Sequence, residues 1–347
     1  MRRLLKNLIY GVAKGLGPMR LARRRTARGL RILCYHGFSL DDEYLWRPTT
    51  FMQAETFRKR VQYVVTQGFP VLGLSEAVAR LGCGDLPPSA VVITFDDAFY
   101  SMYRLAWPVL CELRLPATVY VTTYYCLKGN PVFRLAVQYM FWKAAVDRVD
   151  LAGMPPGTAG TVSLRDAKES HRAVWAIIGW AETQCTEQER CEIARELGVR
   201  LGVNYDRLVQ DRTLSLMNTG ELRELAEAGM DLQLHTHRHC MPDSASGLAR
   251  EIQDNRAVLE PLTGRRAVHF CYPSGVWSKH HLPWLETEGV ATATTCDPGL
   301  NYPDTPRLAL RRFLDGEHID QITFEGEVNG LAEVLRRARS TLSGQGS

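Results

Sequence analysis

The feature that most constrains the fold is a continuous apolar run that ends in two carboxylates, AVVITFDDAF at residues 90–99. Such runs are typical of buried parallel strands, because helices cover both faces of the sheet. Polar residues after the last apolar position of such a strand lie at the carboxyl edge of the sheet. The run therefore predicts a buried strand that delivers Asp96 and Asp97 to that edge.

Strand and helix patterns alternate around this run. RILCYHGF at 31–38 and ATVYVTTYY at 117–125 have the composition of strands, whereas MYRLAWPVLCELRLP at 102–116 has helical periodicity. Alternation of this kind favours parallel βαβ units. The chain is long enough, at 347 residues, to bury a large α/β core.

The alternation is interrupted between about 128 and 216, where helical patterns dominate and predict a helical insertion. Strand patterns resume at MDLQLH (230–235), AVHFCYP (267–273) and GVATATTC (289–296). Residues 331–347 are expected to form a C-terminal helix and a disordered tail. Aromatic side chains in the insertion either shape a substrate cleft by ring stacking or pack inside, and their helical spacing favours packing. They are Tyr139, Phe141, Trp142, Trp175 and Trp180.

Positive charge is concentrated at the N-terminus. Ten Lys and Arg residues precede Asp41, the first acidic residue, and the rest of the chain carries 32 basic against 38 acidic residues. Residues 1–30 therefore form a basic arm, and five apolar residues of the arm share one helical face: Leu4, Leu5, Leu8, Ile9 and Val12. Such a helix either contacts an anionic membrane surface or packs on the domain as a solvated leader. Nucleic acid is not an expected partner, because the arm lacks an aromatic or motif context.

The expected location is cytoplasmic, with peripheral contact at the inner face of the membrane through residues 1–30. Lys6 and Lys14 interrupt the apolar run that a secretory signal requires. No run of 18 apolar residues is present to span a bilayer. The nine cysteines form no CxxC motif and are odd in number, which favours a reducing compartment.

Three histidines stand at alternate positions in DLQLHTHRHC, residues 231–240. His235 and His239 are four residues apart at the end of a predicted strand, so both imidazoles reach one ion if the chain enters a helical turn. Two histidines and one aspartate, with water completing the shell, suit a divalent transition metal and zinc in particular. His237 is expected to face elsewhere. The alternative is a fortuitous cluster.

The two carboxylates of TFDD have a related pair of interpretations. One carboxylate can bind a cation while its neighbour serves as a base, or the pair can form an ordinary Asx turn. FCYPSGVW at 270–277 is another apolar strand that ends in a turn. The backbone N–H groups of this turn either face the same edge of the sheet as the two carboxylates or belong to a plain turn that closes the strand.

Taken together, TFDD (94–97), HTHRH (235–239) and YPSG (272–275) resemble the motifs of the polysaccharide deacetylases, carbohydrate esterase family four. The RILCYHGF segment resembles the branch that includes poly-N-acetylglucosamine deacetylases. The predicted fold is accordingly α/β, a distorted (β/α) barrel of seven or eight parallel strands over residues 31–330 that carries the helical insertion.

The resemblance implies a role for each motif residue. Asp96 would be the general base, and Asp97, His235 and His239 would bind a divalent metal, with zinc expected ahead of Ni, Co, Fe or Mn. His36 matches the position of the histidine that supplies the proton to the leaving group. These assignments make Asp96 and His36 the catalytic pair.

The third motif is implied to line the substrate site through Tyr272, Pro273 and Gly275, with the Tyr272 N–H as an oxyanion donor. The sequence departs from the family pattern at three places. Ala98 stands where the first motif usually has glycine, and the third motif lacks its common arginine, with Cys271 and Tyr272 there instead. The late Leu-x-x-His motif has no clear counterpart, because His318 in DGEHIDQ matches it poorly.

The implied function is metal-dependent removal of an N-acetyl or other N-acyl group from an amino sugar in a glycan or glycolipid biosynthetic intermediate. The expected partner is thus an N-acetylated carbohydrate or a lipid-linked sugar, and no signal for oligomeric state is present. A carbohydrate O-acetyl esterase at the same site is one alternative. A non-catalytic glycan-binding protein on this fold is the other, and the intact motif residues argue against it.

Overall fold

The protein is built around a seven-stranded sheet in which every neighbouring pair of strands is parallel. The computed structural model describes residue 10, residues 17–154 and residues 160–342. Its strands are β1 (Arg31–Tyr35), β2 (Gly37–Phe38), β3 (Phe51–Met52), β4 (Val91–Phe95), β5 (Thr118–Val121), β6 (Arg148–Asp150), β7 (Thr161–Ser163), β8 (Asp231–Leu234), β9 (His269–Cys271), β10 (Thr292–Thr294) and β11 (Phe313–Leu314). The order across the large sheet is β10-β9-β8-β5-β4-β1-β11.

The sheet curls so that its two edges approach each other. The segment before β11 bonds with the β10 edge: the Leu310 N–H donates to Ala293 O at 2.8 Å, and the Thr295 N–H donates to Leu310 O at 2.8 Å. β11 itself pairs with β1. The predicted distorted (β/α) barrel is therefore confirmed, with seven parallel strands.

β1 and β4 are adjacent strands of the large sheet, and every residue of both strands is buried. They pair in parallel register from Arg31 with Val91 to Tyr35 with Phe95. The continuous apolar run at 90–99 suits this position, because both faces of β4 are buried. Phe57 packs edge-on against Tyr35 at 5.0 Å between ring centroids and joins a helix to the sheet.

Helices surround the sheet. They are α1 (Pro18–Arg25), α2 (Glu43–Trp46), α3 (Ala54–Thr66), α4 (Leu74–Cys83), α5 (Trp107–Leu113), α6 (Thr123–Lys128), α7 (Phe133–Lys143), α8 (Ala167–Gln184), α9 (Glu187–Leu201), α10 (Tyr205–Gln210), α11 (Thr219–Glu227), α12 (Ala245–Thr263), α13 (His281–Thr287), α14 (Gln321–Val328) and α15 (Leu331–Leu342). A π-helical turn, Met102–Ala106, precedes α5. None of the helices described is long and apolar enough to cross a membrane.

The predicted helical insertion contains α7 to α10. α9 begins with a capping box formed by Thr186 and Glu189. The side chain of each residue accepts a hydrogen bond from the backbone N–H of the other. The insertion also contains an antiparallel β6–β7 hairpin, which the helical prediction missed. The expected packing of its aromatic residues holds for Tyr139 and Phe141, which are buried, but Trp142 and Trp175 are each 43% exposed.

The two ends of the described chain pack together. Met19 and Ala22 of α1 form an apolar cluster with Tyr10 and with Leu331 of the C-terminal helix α15. Half of the predicted basic arm, residues 1–9 and 11–16, lies outside the described residues, as does the end of the chain at 343–347.

Candidate active site

Loops at the carboxyl ends of β4 and β8 bring the three predicted metal ligands together. Asp97 Oδ1 lies 3.3 Å from His235 Nε2 and 3.2 Å from His239 Nε2. Ligand atoms about 2.0–2.1 Å from a tetrahedral zinc ion are about 3.3 Å apart from one another. The donor set of two imidazoles and one carboxylate therefore fits a small divalent cation, and it leaves a coordination position open. We call Asp97, His235 and His239 the metal cluster.

Left-handed backbone conformations aim these side chains at one point. The φ angles of Asp97, Ala98, Thr236 and His239 are 69°, 66°, 61° and 54°. Non-glycine residues avoid this region at about 1–2 kcal/mol each, and such conformations persist where the surroundings impose them. At Ala98 the surrounding contact is clear, because its carbonyl accepts a 2.9 Å hydrogen bond from the Met217 N–H. The family's glycine is thus replaced by an alanine that keeps the glycine-like conformation.

The ring of His235 is oriented by its second nitrogen. Nδ1 lies 2.9 Å from the carbonyl oxygen of Cys271, so Nδ1 carries the hydrogen and Nε2 faces Asp97. The Thr122 hydroxyl donates to the His235 carbonyl at 3.1 Å. Both contacts come from neighbouring strands, so the sheet itself sets the ligand geometry.

Asn255 of α12 ties the ends of β5 and β8 together. It accepts from the His235 N–H at 3.1 Å and donates to Val121 O at 3.0 Å and to the Thr123 hydroxyl at 2.9 Å. Its side chain is fully buried. Sequence reasoning missed this residue, although an amide on the apolar face of a helix, three residues after Ile252, was an available signal.

The general-base candidate, Asp96, forms a two-pronged ion pair with Arg312. Arg312 Nη1 lies 2.7 Å from Oδ1 and Nη2 lies 2.8 Å from Oδ2, and both side chains are buried. Burial alone would raise the pKa of Asp96, but Arg312 and then His36 lower it well below its ordinary value. Asp96 is therefore ionised at any working pH. The thiols of Cys34 and Cys271 also approach Asp96 Oδ2, at 3.5 and 3.4 Å.

Arg312 is the second functional residue that sequence reasoning missed. The third motif lacks the family's arginine, and the structure supplies an arginine to Asp96 from the segment before β11. Arg312 also donates to Thr295 O at 2.9 Å, which fixes the guanidinium in place. The available signal was an arginine inside the apolar stretch LALRRF, where a buried charge requires a partner.

His36 lies where the resemblance places the proton donor. Its Nε2 is 3.7 Å from Asp96 Oδ2, and its side chain is 21% exposed. Its Nδ1 is buried and has no hydrogen-bond partner among the described residues. His36 and Asp96 therefore face the same space, with the imidazole closer to solvent.

The turn after β9 lies at the site, but one role predicted for it is wrong. The Tyr272 N–H donates to Thr294 O of β10 at 3.2 Å and is not available as an oxyanion donor. Tyr272 and Pro273 are both buried, and of the turn residues Tyr272, Ser274 and Gly275 line the cavity. Gly275 has a φ of 68°, and a Cβ there would lie 2.8 Å from Cys296 Sγ, so the turn requires glycine.

The charges of the metal cluster are strongly coupled. Burial opposes ionisation of Asp97, yet His239 and His235 lower its pKa to about 2. Burial lowers the pKa of His239 to about 4. Burial also disfavours the imidazolium of His235, but the contacts with Cys271 and Asp97 outweigh it and raise the pKa of His235 well above its ordinary value. Without a cation, the cluster therefore holds its proton on His235.

His237 faces away from the metal cluster, as predicted. Its Nδ1 lies 2.8 Å from the Thr123 hydroxyl, and its ring packs edge-on against Tyr124. The next residue, Arg238, anchors the loop through Glu251: the Arg238 N–H and Nη1 lie 2.8 and 2.7 Å from the two carboxylate oxygens. The HTHRH loop is thus anchored by His237 and Arg238, which lie in the chain between the ligands His235 and His239.

The metal cluster opens into a cavity of about 650 Å³. This volume is within the range of small-molecule binding sites. One side is the sheet edge with Asp96, Asp97 and His36. The opposite side, which we call the insertion wall, is formed by α7 and α8 through Arg134, Leu135, Gln138, Trp175 and Glu182.

Comparison with known proteins identifies the class of this site. The polysaccharide deacetylase family model matches residues 84–293, which is more than half of the chain. The chain therefore belongs to the polysaccharide deacetylase family, and it is a hydrolase that acts on amide bonds of glycans.

Solved structures share the fold at low sequence identity. The deacetylase PplD from Streptococcus pyogenes is 17% identical with a TM-score of 0.55, and the match covers 88% of this chain and 97% of that one. IcaB from Ammonifex degensii is 18% identical with a TM-score of 0.54 and coverage of 87% and 96%. BC0361, a polysaccharide deacetylase from Bacillus cereus, is 14% identical with a TM-score of 0.52 and coverage of 86% and 69%. No curated protein matches the chain.

Proposed function

We propose that this chain is a divalent-metal-dependent N-deacetylase, with zinc as the preferred metal, that acts on an amino sugar in a glycan or glycolipid biosynthetic intermediate. One observation carries the proposal: Asp97, His235 and His239 lie within ligand distance of one another beside an ionised Asp96. This combination supplies both a cation site and a separate carboxylate, which amide hydrolysis needs.

A divalent cation held by the metal cluster supplies Lewis acidity for the amide carbonyl and lowers the pKa of water. Asp97, His235 and His239 would hold the cation, and three protein ligands are the number found in catalytic rather than structural zinc sites. Asp96 does not need to be a ligand, because Arg312 already occupies both of its oxygens.

Asp96 takes a proton from the attacking water. Arg312 keeps its carboxylate ionised and fixed in orientation, so the base is always in its active form. The same ion pair makes Asp96 a weak base, and the proton it takes leaves readily. The imidazole of His36, with Nε2 3.7 Å from Asp96 Oδ2, is the nearest described acceptor that faces the cavity.

His36 then donates a proton to the sugar nitrogen. An amide nitrogen is a poor leaving group without this proton, and histidine is suited to the task because its ordinary pKa is close to neutral. Cleavage of the carbon–nitrogen bond with addition of water gives acetate and a free amino sugar.

Acetate release from a panel of substrates tests the proposal. We expect the zinc-loaded protein to release acetate from N-acetylglucosamine oligomers, and His36→Gln to lose most of this activity. An O-acetylated oligosaccharide of the same length is the comparison, because an ester leaving group needs less protonation. Turnover of only the ester, unaffected by His36→Gln, contradicts the N-deacetylase proposal and favours an O-acetyl esterase.

We also propose that the basic arm, residues 1–30, makes peripheral contact with an anionic membrane at its cytoplasmic face. The support is charge, since Arg20, Arg24 and Arg25 are exposed on α1. Co-sedimentation with phosphatidylcholine vesicles, with and without phosphatidylserine, tests the contact. We expect binding only to the anionic vesicles and its loss when the three arginines are changed to glutamine. Equal sedimentation with both kinds of vesicle contradicts the proposal.

A further inference from the structure

We propose that the substrate carries an anionic group, a carboxylate or a phosphate, close to its acetamido sugar, and that Arg47 binds this group while Trp175 stacks on a sugar ring. The inference rests on the proposed function and narrows its substrate class. It comes from the charges of the cavity wall.

Four arginines line the cavity: Arg47, Arg134, Arg190 and Arg238. Three of them are paired with carboxylates. Arg134 Nε lies 2.8 Å from Glu182 Oε1, Arg190 Nη1 lies 3.5 Å from Glu187 Oε2, and Arg238 Nη1 lies 2.7 Å from Glu251 Oε1. These three charges are largely neutralised by the protein.

Arg47 differs, because its contacts are with neutral groups. Its Nη2 lies 2.6 Å from Gln138 Oε1, and its guanidinium lies over the ring of Trp46, 4.9 Å from the centroid. Gln138 is itself fixed, because its amide donates to the carbonyl of Arg134 at 2.8 Å. Within the described part of the chain, no carboxylate lies in ion-pairing distance of Arg47. The guanidinium is thus positioned but not neutralised.

The surroundings make this unpaired charge unfavourable in the free protein. Burial, and then the nearby charge of Arg134, lower the pKa of Arg47. An anion beside the guanidinium would relieve both effects. A planar guanidinium also matches the two oxygens of a carboxylate or phosphate. The single contact of Arg47 with the amide of Gln138 leaves part of this donor capacity unused.

The position of Trp175 indicates what the anion is attached to. Trp175 lines the same cavity and is 43% exposed, whereas Tyr139 and Phe141 of the insertion are buried. A tryptophan face that is open to the cavity provides apolar area for a sugar ring. Arg47, Gln138 and Trp175 line the same cavity as the metal cluster, so a saccharide bound in this cavity is within the space that all of them face.

Two sources supply the same anion chemistry. A uronic acid next to the acetamido sugar carries a carboxylate, and a lipid-linked sugar carries a phosphate or diphosphate. In both substrates the negative charge lies close to the reacting amide, and both kinds of anion suit the guanidinium of Arg47. The probes that separate them are a tetrasaccharide of alternating N-acetylglucosamine and glucuronate, and a prenyl-diphosphate-linked N-acetylglucosamine, each compared with neutral tetra-N-acetylchitotetraose.

Direct binding to the zinc-loaded protein and acetate release are measured for all three probes. We expect at least one anionic probe to bind about tenfold to a hundredfold more tightly than the neutral one, as a charge-assisted hydrogen bond provides. Arg47→Gln should remove this preference and leave binding of the neutral probe nearly unchanged. Arg47→Lys should retain part of it in a salt-sensitive form.

Arg207→Gln is the matched control, because it removes the same charge from a side chain that is 78% exposed and outside the cavity. It should behave as the unmodified protein. Trp175→Ala should weaken all three probes, since it removes the stacking face and no charge. Equal binding of neutral and anionic probes to the unmodified protein, or a preference that survives Arg47→Gln, overturns the inference. Because binding is measured directly, this result is distinct from an absence of acetate release, which would count against the proposed function.

Discussion

The metal cluster and the insertion wall face each other across one cavity, but they are built differently. His235 of the metal cluster is only 2% exposed and is fixed by backbone carbonyls and strand ends, whereas Trp175 of the insertion wall is 43% exposed. The insertion wall is held by side-chain pairs on helices, such as Arg134 with Glu182. The sheet edge therefore sets the reaction, and the inserted helices are free to set which substrate is accepted.

Removal of a metal ligand provides the strongest test of this division. We expect Asp97→Ala or His239→Ala to abolish zinc binding and to lower kcat/KM by at least about a thousandfold, because several kcal/mol of transition-state stabilisation come from the cation. His237→Ala, two residues away but turned from the cluster, is the control and should bind zinc normally. Zinc content by mass spectrometry together with acetate release checks the prediction, and normal zinc content in Asp97→Ala would contradict it.

Asp96→Asn separates the base from the ligands. We expect the variant to bind one zinc ion and to lose turnover by about a hundredfold or more, the range for removal of a general base. The asparagine keeps the shape of the side chain and one oxygen for Arg312. Steady-state kinetics on protein of measured zinc content tests this, and retention of full activity would show that Asp96 is not the base.

Arg312→Met tests the buried ion pair between Arg312 and Asp96. The change leaves Asp96 as a buried carboxylate without its partner, and we expect the free energy of unfolding to fall by about 3–5 kcal/mol. In the double variant Asp96→Asn/Arg312→Met the buried charge is gone, so much of this loss should be recovered. Urea unfolding measures both variants, and additive effects of the two changes would contradict a direct ion pair.

The pH dependence of zinc affinity tests the coupling within the metal cluster. The pKa of His235 is raised in the metal-free protein, so a proton competes with the cation at pH values below that raised pKa. Zinc affinity should therefore rise about tenfold per pH unit as pH increases, and level off above the raised pKa. Calorimetry in buffers of different ionisation enthalpy should show release of about one proton. An affinity that does not change between pH 6 and pH 8 would be inconsistent with a protonated His235.

Ala98→Gly probes the junction of the two regions, where the Met217 N–H bonds to Ala98 O. Ala98 has a φ of 66°, and glycine adopts this conformation without strain. We expect the free energy of unfolding to increase by roughly 0.5–1 kcal/mol, because the relief of strain exceeds the added entropy of the unfolded chain. Ala176→Gly inside α8 is the control and should destabilise by about 1 kcal/mol. Destabilisation by both changes would mean that the conformation at Ala98 carries no strain.

The strand ends were predictable because their signals are local. An apolar run that stops at Asp96 and Asp97 predicts that the strand is buried and that the two carboxylates lie at the carboxyl edge of the sheet. His235 and His239 were likewise expected to share an ion, but through a helical turn, whereas the structure brings them together through a loop in which Thr236 and His239 have left-handed backbone conformations. These inferences need only the chain's periodicity and the rule that parallel strands align their carboxyl ends.

Contacts that depend on which strands become neighbours were not predictable. The position of the turn at Tyr272 was predicted, but its N–H is taken by Thr294 because β9 pairs with β10. Arg312 reaches Asp96 only because the last strand, β11, pairs with β1, which is the neighbour of β4. The β6–β7 hairpin was missed since its three-residue strands are too short to show a period of two.

Titration of metal-stripped protein with zinc, read out as acetate release from tetra-N-acetylchitotetraose, decides whether the metal cluster is the catalytic centre. We expect no activity in the stripped protein, a linear rise up to one equivalent of zinc, and a plateau beyond it. Activity in the stripped protein equal to that of the reloaded protein, or binding of zinc at one equivalent without any acetate release from N-acetylated sugars, would contradict it.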